Sequence, residues 1–130
     1  MTEQIKVTAS IPASPKQIYD AWLNSKAHTK MTGSKATVTS KPGGKFTAWD
    51  NYITGKNLEL IPGKRILQSW RTTEFSKTDL DSHLLLKFEP VKGGAKIILV
   101  HTEIPEGQSA GYKKGWKDFY FKPMKTYFQQ

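Results

Sequence analysis

The sequence predicts an α+β domain in which a curved antiparallel sheet of six to seven strands wraps a long C-terminal helix, with two short helices after the first strand. Three observations carry that expectation. The N-terminal residues alternate between apolar and polar with the period of a half-buried strand. The middle of the chain is a series of short aromatic and β-branched runs separated by turn residues. The stretch GYKKGWKDFYFKPMKTYF, Gly111 to Phe128, holds more aromatic side chains than a helix resting on one flat surface would bury.

Taken in order, Ile5, Val7, Ala9 and Ile11 share one side of a strand over Gln4 to Pro12, with Lys6, Thr8 and Ser10 on the other. Ser14-Pro15 then reads as an N-cap followed by proline at the first helical position, where the missing N–H costs nothing. Ile18, Tyr19, Trp22 and Leu23 follow at helical spacing to about Asn24, and Ser25 to Met31 form a second short helix. Turn signals at Pro42-Gly43-Gly44, Asp50-Asn51, Pro62-Gly63 and Gly93-Gly94 divide strands near 35–40, 44–50, 52–61, 64–73, 81–89 and 95–103. Phe46 with Ala48, Ile66 with Gln68 and Trp70, and Leu84 with Leu86 and Phe88 share faces, so one side of the sheet is wet. The polar segment Thr72 to Asp81 is expected to be a mobile loop.

In the last helix, at 100° per residue, Tyr112, Trp116, Phe119, Tyr120, Pro123 and Tyr127 fall in one core-facing arc. Phe121, Met124 and Phe128 fall outside it and call for a second wall, supplied by a curved sheet and the two short helices. Pro123 cannot donate to the carbonyl of Phe119, which predicts a bend. The lysines of this stretch lie on the remaining arc or border the aromatics, which favours a lid over a membrane-seeking helix.

Length and composition set the bounds. The 130 residues suit one domain, expected to span 1–130, with 37% hydrophobic and 12% aromatic residues. Without cysteine there are no disulfides, thiolate nucleophiles or Cys-based metal sites, and no apolar run approaches the ~20 residues that cross a bilayer, so a cytoplasmic protein with no membrane span is expected. A net charge of +9 favours anionic partners, although the positive residues are spread along the chain rather than held in one block.

The residues GGKFTAWDNYITG (Gly43 to Gly55), LELIPGKRILQSWR (Leu58 to Arg71), HTEIPEG (His101 to Gly107) and GWKDFYFKPMKTYF (Gly115 to Phe128), in this order and spacing, resemble the helix-grip fold of the START-like (SRPBCC) superfamily. Within it they are similar to the C-terminal domain of the activator of the ninety-kilodalton heat-shock chaperone ATPase. The resemblance covers nearly the whole chain. It implies a cavity between sheet and helix, with Phe46, Trp49, Gln68, Trp70, Leu86, Leu99, His101, Trp116 and Tyr120 as candidate lining residues, and with His101 and Gln68 as its polar anchors.

No convincing catalytic constellation stands beside this cavity. GGKFT lacks the upstream glycine of a phosphate loop, since Thr39 takes that position, and neither GxGxxG nor HExxH occurs. His101 and Glu103, two apart on a strand, are expected on one face as base and orienter or as two metal ligands, but no third ligand is apparent. His28 and His83 read as exposed, and Trp70-Arg71 as an indole inside with a guanidinium outside. No cofactor and no metal are expected. The sequence therefore points first to non-enzymatic binding of a small hydrophobic or amphipathic molecule. An interaction protein of the co-chaperone type, acting on an acidic partner, comes second, and a cyclase- or hydrolase-like enzyme third. Inward-pointing aromatics argue against nucleic acid.

Overall fold

A computed structural model describes residues 2–129. Strand β1 (Thr2–Ile11) leads into helices α1 (Pro15–Trp22) and α2 (Ser25–Thr32). A meander follows, β2 (Lys45–Ala48), β3 (Ile53–Ile61), β4 (Arg65–Thr72), β5 (Ser82–Val91) and β6 (Gly94–Pro105). The last helix runs as α3 (Ser109–Gly115), a π-helical segment (Trp116–Phe121) and α4 (Lys122–Phe128). The strands form one antiparallel sheet in the order β1-β6-β5-β4-β3-β2.

Local chemistry accounts for the element ends. The Ser14 hydroxyl accepts from Gln17 N while the Gln17 side chain accepts from Ser14 N, a reciprocal cap that starts α1. Asn24 caps α2 through Ala27 N, and Gly33, at φ 80°, closes it in the left-handed conformation. The strand expected at 35–40 does not form and contributes only an isolated bridge, Thr37 to Thr47. Its backbone is served instead by hydroxyls of α2. Ser25 Oγ bonds both N and O of Val38, and Thr29 Oγ1 bonds both N and O of Ala36. The sheet therefore has six strands.

The predicted faces hold. Ile66, Gln68 and Trp70 on β4, Leu84, Leu86 and Phe88 on β5, and Ala95, Ile97, Leu99 and His101 on β6 are all buried against the helices. Two register shifts bend the sheet. One leaves Leu58 as an extra residue of β3 without a partner on β4, and it is 45% exposed. The other inserts an extra residue in β6 opposite β1, with Glu103 at φ 59°. Gly55 allows β3 to approach closely, because a Cβ there would meet Ser69 O at 1.9 Å and the Phe46 ring at 2.6 Å.

The last helix departs most from an ideal pattern. A π-helical turn stands directly ahead of Pro123, and Phe119, whose carbonyl the proline cannot serve, lies inside that turn. A wider turn resets the angular positions of everything after it. Phe119, expected inside, is 59% exposed, while Phe121 and Met124, expected off the main arc, are buried. The second wall exists: α2 packs against α4 and the π segment, and β1 lies against both.

Candidate functional site

A cleft of about 420 Å³ opens between the last helix and the β2–β3–β4 side of the sheet. Its walls are Trp49, Tyr52, Ile53, Trp70, Tyr112, Trp116, Phe119 and Tyr120, with the bare helix backbone at Gly111 and Gly115. The rings form a continuous chain. Trp70 meets Tyr112 at 5.0 Å and Trp116 at 5.6 Å between centroids, Trp116 meets Tyr120 at 4.9 Å, and Trp49 sits edge-on to Tyr120 at 6.1 Å and to Phe119 at 5.8 Å.

Two buried histidines hold this aromatic wall from behind, in opposite tautomers. Ser82 Oγ donates to Trp70 O (2.6 Å), so it accepts from His101 Nε2–H (2.8 Å). The bare Nδ1 of His101 then accepts from Trp116 Nε1 (3.2 Å). On the other side His28 Nδ1–H donates to Trp22 O (2.8 Å), and its Nε2 accepts from the Tyr120 hydroxyl (3.0 Å). Burial keeps both rings neutral: it lowers the pKa of His101 to about 3 and depresses that of His28. Burial likewise pushes the Tyr120 phenol up.

Several expectations need correction here. His28 is not a surface residue but is 2% exposed and bonded at both nitrogens. His101 and Glu103 do not share a face, because the extra residue in β6 turns Glu103 outward to His83. With both ring nitrogens committed, His101 has no lone pair for base chemistry or a ligand. Gln68 is also spoken for: Nε2 donates to Asn57 Oδ1 (2.8 Å), Oε1 accepts from Trp22 Nε1 (3.4 Å), and Asn57 bonds the carbonyls of Thr39 and Lys41. Of the expected lining residues, Trp49, Trp70, Trp116 and Tyr120 border the cleft, whereas Phe46, Gln68, Leu86, Leu99 and His101 are packed in the core away from it.

Arg71 ties the segment after β4 together. Its guanidinium donates to Asp81 Oδ1 (2.7 Å), Asp79 O (3.2 Å) and Ser76 O (2.9 Å), and Phe75 is buried against Trp70. The indole-in, guanidinium-out reading of Trp70-Arg71 thus stands. Glu74 from this segment sits at the cleft rim, where the Tyr52 hydroxyl donates to its carboxylate. Burial and that bond push the Tyr52 pKa up to about 12.

Sequence reasoning did not name Tyr52, Ile53, Gly111, Tyr112, Gly115 or Phe119 as lining residues. A signal was present in GYKKG: two glycines four apart in a helix leave one stripe of its backbone uncovered, at a cost of about 1 kcal/mol each relative to alanine. Trp49 carries a second signal that only coordinates reveal. It begins three consecutive left-handed residues, Trp49 (φ 53°), Asp50 (φ 55°) and Asn51 (φ 72°), and a tryptophan in that region is strained.

A six-stranded sheet curled around a C-terminal helix, with an aromatic cleft between them, defines a helix-grip domain. The profile of the family described as "Activator of Hsp90 ATPase homolog 1-like protein" matches residues 12–129, and the chain belongs to that family. The "Activator of 90 kDa heat shock protein ATPase homolog" of Dictyostelium discoideum is 31% identical over 117 residues, 89% of this chain and 30% of that protein. Homolog 1 of Homo sapiens is 24% identical over 127 residues, 98% of this chain and 37% of the relative. The chain thus spans about a third of the length of these relatives. Among solved structures, an HSP90 activator from Plasmodium falciparum superposes with a TM-score of 0.80 at 25% identity, covering 91% of this chain and 89% of that one. Among the described residues no helix is long and apolar enough to cross a membrane.

Proposed function

We propose that this domain binds a small hydrophobic or amphipathic molecule in the cleft between sheet and helix, without chemical conversion, in the cytoplasm. The carrying observation is a cleft of about 420 Å³ walled by seven aromatic side chains and left open where the helix has Gly111 and Gly115. Such a volume and such walls suit a compact apolar ligand. Trp49, Trp70, Trp116 and Tyr120 would be its main contacts. Nothing within 4 Å would oppose a side chain at Gly111, so Gly111→Leu should fill the cleft without harming the fold. In a fluorescence titration with N-phenylnaphthylamine, the parent protein should bind with one-site saturation. Gly111→Leu should bind about tenfold more weakly or not at all. Equal binding by both proteins would place the dye elsewhere and sink this reading.

A second reading draws on the relatives' names and on the charge of +9. In it the domain docks on an acidic protein such as a heat-shock ATPase. The outward faces of β4, β5 and β6 offer a row of Leu67, Leu85 and Val100 in register, with Lys6 beyond it on β1. Co-sedimentation with a purified 90 kDa heat shock protein, repeated after Leu85→Glu, tests it; binding unaffected by that change would exclude this face.

A further inference from the structure

The walls of the cleft narrow the chemistry of its ligand. The hydroxyl of Tyr112 donates to Gln108 Oε1 (2.6 Å), that of Tyr120 to His28 Nε2 (3.0 Å), that of Tyr52 to Glu74, and the indole N–H of Trp116 to His101 Nδ1 (3.2 Å). With these polar ends committed to the protein, the walls offer mainly π surface, whose faces carry partial negative charge. Among the described residues no lysine or arginine lines the cleft, although the chain has twenty of them. Lys113 and Lys117, next in sequence to Tyr112 and Trp116, are exposed.

Among the described residues no carboxylate lines the cleft either, but an anion, Glu74, is tied to one of its walls through Tyr52. Glu74 is fixed there by its N–H on Thr72 Oγ1 (3.1 Å), by its carbonyl accepting from Gln108 Nε2 (3.2 Å) and by the Tyr52 hydroxyl on its carboxylate. Its charge acts on both rim phenols, adding to the burial that raises the pKa of Tyr52 and of Tyr112. An anionic ligand would meet the ring faces with only the indole N–H groups of Trp49 and Trp70 left to receive it, and this carboxylate nearby. A weakly hydrated organic cation would meet attraction from both.

We infer that the cleft takes an organic cation of the quaternary-ammonium class, its charged head among Trp49, Trp70, Trp116 and Tyr112 and its countercharge supplied by Glu74. This rests on the reading of the cleft as a ligand site. The cation–π attraction needs ring centroids within about 6 Å of the charge, and neighbouring rings of the wall stand 4.9 to 6.1 Å apart, centroid to centroid.

The test is isothermal titration calorimetry of the whole chain with meta-hydroxyphenyltrimethylammonium and with its neutral isostere meta-tert-butylphenol. The two share shape and differ in charge. The cation should bind about tenfold tighter. Glu74→Gln alters an exposed side chain and leaves the core intact, and it should weaken the cation about fivefold while changing the isostere less than about twofold. Equal or tighter binding of the phenol would overturn the cationic assignment and leave the cleft as a site for neutral ligands. Binding of neither compound would overturn the ligand-site reading with it.

Discussion

Trp116 and Trp49 line the same cleft and are held in opposite ways. Trp116 is 2% exposed at the start of the π-helical segment, on unstrained right-handed backbone (φ −59°, ψ −40°), its N–H bonded to a histidine that is itself bonded through Ser82 to the strand bearing Trp70. Trp49 is half-buried at the end of a short edge strand, on a left-handed backbone that its side chain disfavours, against the exposed ring of Phe119. One side of the cleft is a saturated hydrogen-bonded wall. The other is a strained, partly wet rim. The difference separates where the fold gains stability from where a ligand has something to add, since binding can relieve exposure and strain but gains little from groups already satisfied.

The wall should break first and hardest. Trp116→Ala removes a buried ring and leaves the Nδ1 of His101 without a donor, so it should cost about 3 to 5 kcal/mol in urea unfolding. A cost under about 1 kcal/mol would mean the ring is not part of the core.

Acid should act on the same wall through the histidines. The folded pKa of His101 lies at about 3, below its unfolded value near 6.5, and that of His28 is lowered as well. Between those limits the unfolded chain binds protons the folded chain refuses, so stability is full above about pH 6.5 and falls as pH drops toward 3. The limiting slope is about 1.4 kcal/mol per pH unit per histidine, or roughly 2 to 3 kcal/mol from His101 alone by pH 4.5. Urea unfolding between pH 7.5 and 4.5 measures the total, and the ring proton shifts of native His101 isolate its share. A native titration centred near 6.5 would contradict the burial of this residue.

Much of the wall was legible in the sequence, because side-chain direction along a strand follows from its period of two. The inward sets of β4 and β5 follow from alternation alone, whereas β6 is apolar throughout Ile97 to Val100 and the inward facing of His101 is what the resemblance implies. The rim was not legible, for a common reason: single-residue changes of phase. The extra residue in β6 reversed the face of Glu103, and the π-helical turn moved Phe119 out and brought Phe121 and Met124 in. Partners distant in sequence account for the rest. His28 is drawn inside by a phenol 92 residues away, and the 35–40 segment is kept from the sheet by hydroxyls of α2. The segment Thr72 to Asp81 looks loose from its polar composition, yet Arg71 gathers its carbonyls.

The smallest expected effect is the sharpest test of the contrast between the two tryptophans. Trp49→Gly removes a ring as large as that of Trp116, and burial alone would assign it a substantial cost. Only part of that ring is buried, however, and glycine adopts φ near 53° freely, which releases about 1 to 3 kcal/mol of backbone strain. Glycine also loosens the unfolded chain, which subtracts about 0.5 to 1 kcal/mol from that gain. The net change in urea unfolding should therefore stay within about 1 kcal/mol of zero, while binding in the cleft weakens because a wall is gone. A loss comparable to that of Trp116→Ala would mean that Trp49 is held by packing rather than strained at a rim, and the division of the cleft into a stable wall and a responsive edge would fail.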